Sequence, residues 1–299
     1  MGDPRPIGLF DSGVGGLTVL VEVMRRLPHE DTLYLGDNAR TPYGPRPDEE
    51  VIRFSTQCLD ELAERDVKAI VVACNTSTAV ALPLLRRRYA LPILGVVRPG
   101  ATAAALATRS RAVGVIATQA TVRSHAYFAA IKEEDPFVEV YEHATPELVP
   151  LVEAGRLAGP EVEATVHRSL APLLGWQDVS GEHATQPHGT FVFPMPTGAR
   201  IDTLLLGCTH YPLLSAIIHG IVGEGMAVID SASATASALA SLLEIHALDA
   251  PDLAPGQHRM LTTGDVATFR QTATRLFGPD LGAVDSLELA GAGIGARAS

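Results

Sequence analysis

The stretch KAIVVACNTSTA, residues 68–79, carries the local grammar from which the fold can be read. An uninterrupted apolar run rich in β-branched residues stops at Ala73, and Cys74, Asn75, Thr76 and Ser77 follow directly. Such a run, short and without polar alternation, fits a strand covered on both faces. The spacing predicts a strand ending at Ala73 and a helix opening within the next few residues.

Working outward, the same unit recurs along the chain. Apolar runs stand at IGLF (7–10), TLYLG (32–36), ILGVV (93–97), RAVGVIA (111–117) and FVEVY (137–141), and again at DTLLLG (202–207), AVID (227–230) and RMLTTG (259–264). Stretches of helical periodicity separate most of them, among them LTVLVEVMRRL, PDEEVIRFSTQCLDELAERD and ATASALASLLEIHAL. Doubly buried strands that alternate with helices give the α/β class, a largely parallel sheet flanked by helices. Loops and helix amino ends then converge at the carboxyl ends of the strands, which is where ligands bind.

With 299 residues the chain exceeds the usual single domain of roughly 100–200 residues, which favours two. The Pro99-Gly100 pair after ILGVV is one expected domain joint, and a second falls after GCTHYP (207–212). Residues 176–200 break the rhythm with Pro, Gly and His and read as an inserted loop. His183 and His188 lie in that loop without a Cys or carboxylate cluster at metal-ligand spacing, so surface decoration fits them better than a metal site.

Composition narrows the function classes. With 46% hydrophobic and 19% charged residues the chain has the makings of a sizeable core. None of its apolar runs approaches the roughly 20 residues that span a bilayer, so no membrane association is expected. The opening MGDPRPIGLF lacks the basic and apolar regions of a secretory signal, and a cytoplasmic location is expected. Cys58, Cys74 and Cys208 agree with a reducing milieu. The formal net charge of −11 repels phosphates and argues against a nucleic-acid partner, and the basic run at 86–88 reads as a solvated helix face.

Three junctions hold the residue types that do chemistry. FDSGVGGLTVL ends a strand at Asp11 and Ser12 and opens a helix near Leu17. Its glycines follow neither the dinucleotide pattern nor a P-loop, so no nucleotide is expected there. Two uses remain open: an ordinary capped turn, or backbone N–H groups offered to a carboxylate while Asp11 orients a cation. At the second junction Cys74 meets a helix amino end, which favours thiolate, although a lone cysteine there equally suits a small buried hydrophobe. LLLGCTHYP (204–212) repeats the device with Cys208 and Thr209, and adds His210, a group that can carry a proton near neutral pH.

Two such thiols fit neither C-x-x-C redox spacing nor a zinc quartet, and a cysteine protease needs only one. If the two junctions face each other, one thiolate can remove a proton from a bound molecule while the opposing thiol donates one to the other face. That inverts a stereocentre. The carbon acid is weak, so the site must exclude water and polarise an adjoining carboxylate, work suited to the Asn and Thr neighbours of each cysteine.

DSGVGG (11–16), GDNARTPYG (36–44), ACNT (73–76) and GCTHYP (207–212) together resemble the glutamate racemases, cofactor-independent members of the Asp/Glu racemase family, in their order along the chain. The resemblance spans about residues 7 to 277. It implies two similar α/β domains, the first made of 1–98 plus 213–299 and the second of 99–212, with the active site in the cleft between them. It implies L/D-glutamate interconversion that supplies peptidoglycan synthesis, no cofactor and no metal, and it leaves room for a homodimer. By the motifs, Cys74 and Cys208 are the proton-transfer pair, Asp11 assists Cys74, and His210 and Glu153 assist Cys208. Asp11, Ser12, Tyr43, Gly44, Asn75, Thr76, Thr118, Thr121, Thr209 and His210 carry over as substrate contacts, the threonines at 118 and 121 through ATQAT (117–121). Read without the resemblance, Glu153 is equally a solvated helix residue and Tyr43 a packed turn aromatic. Arg98, where an acid is common, and the missing Cys-Pro before LVPL depart from the pattern. The competing readings are a racemase of another amino acid such as aspartate, in whose relatives the residue after GCT is often acidic rather than His210, and a non-catalytic carboxylate-binding protein of the same fold.

Overall fold

The computed structural model describes residues 2–175, 200–251, 254–278 and 281–289. Its first units are β1 (Ile7–Asp11), α1 (Leu17–Arg26), β2 (Thr32–Gly36), α2 (Asp48–Glu64), β3 (Ala69–Val72), α3 (Asn75–Arg88) and β4 (Ile93–Gly95). α4 (Val97–Ala107) leads out to β5 (Ala112–Ala117), α5 (Gln119–Ser124), α6 (Ala126–Glu134), β6 (Glu139–Ala144), α7 (Leu148–Glu153) and α8 (Pro160–Leu174). Then come β7 (Thr203–Gly207), a short 3-10 turn at Tyr211–Leu214, α9 (Ser215–Val222) and β8 (Ala227–Asp230). The chain closes with α10 (Ala232–His246), β9 (His258–Thr262), α11 (Val266–Phe277) and β10 (Ala283–Ser286).

These strands make two sheets, one of six in the order β10-β9-β2-β1-β3-β4 and one of four in the order β6-β5-β7-β8. Every pairing is parallel. Both sheets contain one pattern: the first strand of the set sits inside, the second pairs on one side of it, and the third and fourth continue on the other. The chain therefore reverses its direction of travel across each sheet, between β1 and β3 in one and between β5 and β7 in the other. A crevice opens at the carboxyl ends of strands where travel reverses. β3 and β7 hold the same place in this repeat.

Helices cover both faces of each sheet, which is why the strands read as continuous apolar runs. Ile7, Leu9 and Tyr34 pack toward α1, α10 and α11, while Phe10, Leu35, Ile70 and Val72 pack toward α2 and α3. In the smaller sheet Ile116, Leu204 and Leu206 face α8 and α9, and Val113, Val115 and Leu205 face α4 and α6.

Three expectations change. β8 pairs with β7, so residues 213–230 belong with the second sheet, and the return to the first comes after Asp230 instead of after Pro212. A parallel, apolar strand such as AVID carries no local mark of which sheet it joins. The Pro99-Gly100 pair, read as a joint between domains, takes helical form: it lies in the first turn of α4, between β4 of one sheet and β5 of the other, where a proline's missing N–H costs nothing because first-turn amides have no helical acceptor. The β10 strand has no counterpart among the sequence-predicted runs. The inserted loop lies outside the described residues except for Arg200. No helix among the described residues is long and apolar enough to cross a membrane.

Candidate active site

A cavity of about 200 Å³ lies between the carboxyl ends of the two sheets. From the six-stranded sheet it is lined by Ser12, which follows β1, by Tyr43 and Gly44 from the loop after β2, and by Cys74, Asn75 and Thr76 after β3. From the four-stranded sheet come Thr118 after β5, Thr145 after β6, and Cys208, Thr209 and His210 after β7. The two cysteines thus occupy equivalent positions of the repeated topology and meet one cavity.

Cys74 caps the amino end of α3: its sulfur accepts the Ser77 N–H at 3.4 Å, and its thiol points at Ser12 Oγ at 3.7 Å. Burial pushes this thiol up to about 11, and the negative charge of Asp11 adds to the rise, while Ser77 and Ser12 oppose it. At pH 7 roughly one molecule in ten thousand then carries a thiolate there before anything binds.

Cys208 has a different environment. His210 Nδ1 lies 3.7 Å from its sulfur, and the other ring nitrogen, Nε2, lies 2.6 Å from Glu153 Oε1 at the end of α7. Burial alone would lower the imidazole's proton affinity, but its bonds to Cys208 and Glu153 win and raise it well above the ordinary value. These bonds favour the protonated form of the ring, whose Nδ1 faces the Cys208 sulfur. Among the described residues no group of three or more His, Cys, Asp or Glu is placed to hold a metal ion.

The model of the Asp/Glu/Hydantoin racemase family matches residues 12–186. A glutamate racemase of Shouchella clausii is 44% identical over 96% of this chain and 95% of its own length. The chain belongs to the glutamate racemase family. Among solved structures, a glutamate racemase from Bacillus anthracis superposes with a TM-score of 0.84 at 39% identity, covering 95% of this chain and 98% of that one. A glutamate racemase from Francisella tularensis in complex with D-glutamate matches with a TM-score of 0.80 at 31% identity, covering 96% and 99%.

Within this glutamate racemase fold, most of the residues named from sequence meet at the cavity. Asp11, Thr121 and Glu153 stand one layer behind its wall. Asp11 is fully buried and accepts the Gly13 N–H at 2.9 Å and, across the cleft, the Thr209 hydroxyl at 3.4 Å; it reaches Cys74 through its charge. Burial raises the Asp11 carboxyl, against the favourable charge of His210 and the N–H groups of Gly13 and Gly16. Thr121 backs Thr118 at 3.0 Å, and Thr118 in turn meets Thr76 across the cleft at 2.9 Å. Asn75 donates to the Tyr127 hydroxyl at 2.6 Å, which leaves its own carbonyl oxygen buried without a partner. Tyr43 lines the cavity with its ring, while its hydroxyl donates to the buried Asp37, which also holds Arg40 Nε and Thr263 Oγ1 at 2.7 Å each. At Gly44 the two halves touch: its carbonyl accepts the Ala120 N–H at 3.1 Å, and a Cβ there would sit 2.8 Å from Thr118 Cβ.

Sequence reasoning missed Thr41, Gln119, Thr145, Pro146, Val149 and Pro150 on the cavity wall, and Asp37 behind it. Thr145 could have been found, because it follows an apolar strand run as Cys74 and Cys208 do. Arg98 pairs with Glu133 at 3.1 Å and lines no part of the cavity. Cys58 is buried in α2, and burial drives its thiol well up.

Proposed function

We propose that this chain interconverts L- and D-glutamate by passing the Cα proton between two thiols, Cys74 from one sheet and Cys208 from the other. The observation that carries the reading is that both sulfurs line one cavity from equivalent strand ends. An enzyme that inverts a stereocentre without a carrier needs an acceptor on one face and a donor on the other.

Cys208, with His210 Nδ1 beside its sulfur, is assigned the base, and Cys74, whose thiol burial pushes up, the acid. The Cys208 thiolate takes the proton from Cα, the electron pair passes into the α-carboxylate, and the Cys74 thiol returns a proton to the opposite face. The reverse direction needs Cys74 as thiolate, and the substrate's α-ammonium offsets part of that cost by bringing a positive charge near a site that Asp11 makes negative. Ser12, Asn75, Thr76, Thr118 and Thr209 supply donors for the carboxylates, with the buried Asn75 oxygen an acceptor for the ammonium. Thr121 acts through Thr118, and Tyr43 and Gly44 form wall. Glu153 holds His210. This assignment of roles draws support from the named relatives, one of which holds D-glutamate. We place the enzyme in the cytoplasm, supplying D-glutamate for peptidoglycan, with a homodimer as the assembly to test by light scattering.

The test is turnover by the purified chain of L-glutamate, D-glutamate and L-aspartate without added cofactor, followed by Cys74→Ser and Cys208→Ser. Glutamate is expected to racemise, and each substitution to lower the rate by about 10²–10⁴-fold. Turnover of aspartate alone would reassign the substrate, and parental rates in both variants would overturn the two-thiol chemistry.

A further inference from the structure

For the glycine turn after β1 the sequence leaves two uses open, an ordinary capped turn or N–H groups offered to a carboxylate, and the structure points to a third. Gly15 has no left-handed backbone, so conformational freedom does not explain it. Space does. A Cβ at Gly15 would lie 2.5 Å from Thr209 Oγ1, 2.6 Å from His210 Nδ1 and 2.7 Å from His210 Cε1. His210 Nδ1 is the atom that faces the Cys208 sulfur. Thr209 and His210 are 5% and 3% exposed, and the room left to them is the cavity they line, so a Cβ at Gly15 would push them out of their present places toward it. One turn later, Thr18 donates its hydroxyl to the Gly15 carbonyl at 2.9 Å and to the Thr209 carbonyl across the cleft at 3.3 Å. At Gly13, a Cβ would come within 3.0 Å of Glu153 Oε1.

We infer that Gly15 and Thr18 are positioning residues for the second thiol: the β1–α1 turn of one half is the seat against which the Cys208–His210–Glu153 chain of the other half is set. The inference rests on the two-thiol reading and extends it, because it makes the reactivity of Cys208 depend on a turn in the opposite half. It also predicts an asymmetry, since the three atoms nearest a Cβ at Gly15 all belong to Thr209 and His210, which flank Cys208 and not Cys74.

The experiment is alkylation of the free enzyme by iodoacetamide at pH 7, each thiol followed through the mass of its own tryptic peptide, with the buried Cys58 as internal reference. A cation beside a sulfur favours the thiolate, the form that reacts. In Gly15→Ala, the rate at Cys208 is expected to fall about tenfold relative to Cys74, because a displaced His210 Nδ1 no longer faces the Cys208 sulfur. Displacement of His210 is expected to lower kcat/KM for racemisation by about a hundredfold. Thr18→Val should move the same ratio in the same direction by a smaller factor, and Thr18→Ser, which keeps the hydroxyl, should restore it. If Gly15→Ala fails to fold, the Thr18 pair decides alone. An unchanged Cys208:Cys74 ratio in every folded variant, or an equal fall at both thiols, overturns the inference. The ratio is read without turnover, so a parent enzyme that failed to racemise glutamate would count against the activity and leave this measurement standing.

Discussion

Glu153 shows what a single carboxylate contributes at one remove from chemistry. Its oxygen lies 2.6 Å from His210 Nε2, and the far nitrogen of the same ring faces Cys208. Glu153→Gln keeps a hydrogen-bonding group but removes the charge. His210 is raised above its ordinary value by Cys208 and Glu153 against burial, so the imidazolium persists as pH rises; without the carboxylate it should lose its proton at lower pH. The expected outcome is that the alkaline limb of the kcat/KM profile moves to lower pH while the acid limb stays. Linkage gives a companion sign: a raised imidazole stabilises the fold fully below its unfolded value of 6.5, and the contribution fades as pH rises through the folded value. The stability deficit of Glu153→Gln in urea should therefore be larger at pH 6 than at the alkaline end. A variant profile that superimposes on the parent's would reduce Glu153 to a packing residue. At this scale the sequence was legible at Cys74 and Cys208, each of which follows an apolar strand; Thr118 came only through the resemblance at ATQAT, and Thr145, which also follows a strand, was not read. It was silent where a residue works by long-range contact: nothing local joins Asp37 to Thr263 across 226 positions, or Asp11 to Thr209 across 198.

At the level of elements, strand ends are fixed as much by their polar brackets as by their apolar cores. Asp202, just before β7, accepts the Thr108 hydroxyl at 2.6 Å and the backbone N–H groups of Arg109 and Ser110 at 2.8 and 2.7 Å, tying the end of α4 to the start of β7. Partial burial works against ionisation, but these donors prevail and hold the carboxyl down at about 2, from an ordinary 3.8. A depressed carboxyl stabilises the fold in full above its unfolded value, and the contribution is lost as pH falls through the folded one. Asp202→Ala should therefore destabilise the protein most at pH 5 and above, with the gap from the parent narrowing as pH drops from 4 toward 2, measured by urea unfolding at each pH. A gap that stays constant over that range would assign the loss to packing. The interior strands and the helices were readable because both faces of those strands are covered, which writes them as unbroken apolar runs, whereas the mostly exposed edge strand β10 was not. Nor was sheet membership. AVID carries no local mark of which sheet it joins, and only its register against Thr203–Leu206 puts it beside β7.

Across the whole molecule, the repeated strand order makes the two halves present the same strand end to one cavity, and the cleft is bridged on several sides: Thr76 to Thr118, Asn75 to Tyr127, Ala120 to Gly44 and Asp11 to Thr209. The sequence betrayed this duplication only through the echo of its two cysteine junctions, because strand order is a property of pairing and leaves no periodic trace. Enantiomers have equal free energy, so kcat/KM must be the same in both directions, and rates alone cannot separate the thiols; isotopes can. Each thiol holds one proton, and each sits on a different side of the cavity. In deuterated water a proton removed by one sulfur either returns to the same face or stays on that sulfur while the other delivers deuterium to the opposite face. Product formed from L-glutamate should therefore carry deuterium at Cα from the first turnover, while the remaining L-glutamate keeps its proton, as read by mass and chiral separation at early times. A single base serving both faces would carry part of the original proton into the product and exchange the substrate pool at a comparable rate. Early deuterium in both pools alike, in the enzyme with both thiols intact, would mean that the two sulfurs do not divide the faces between them.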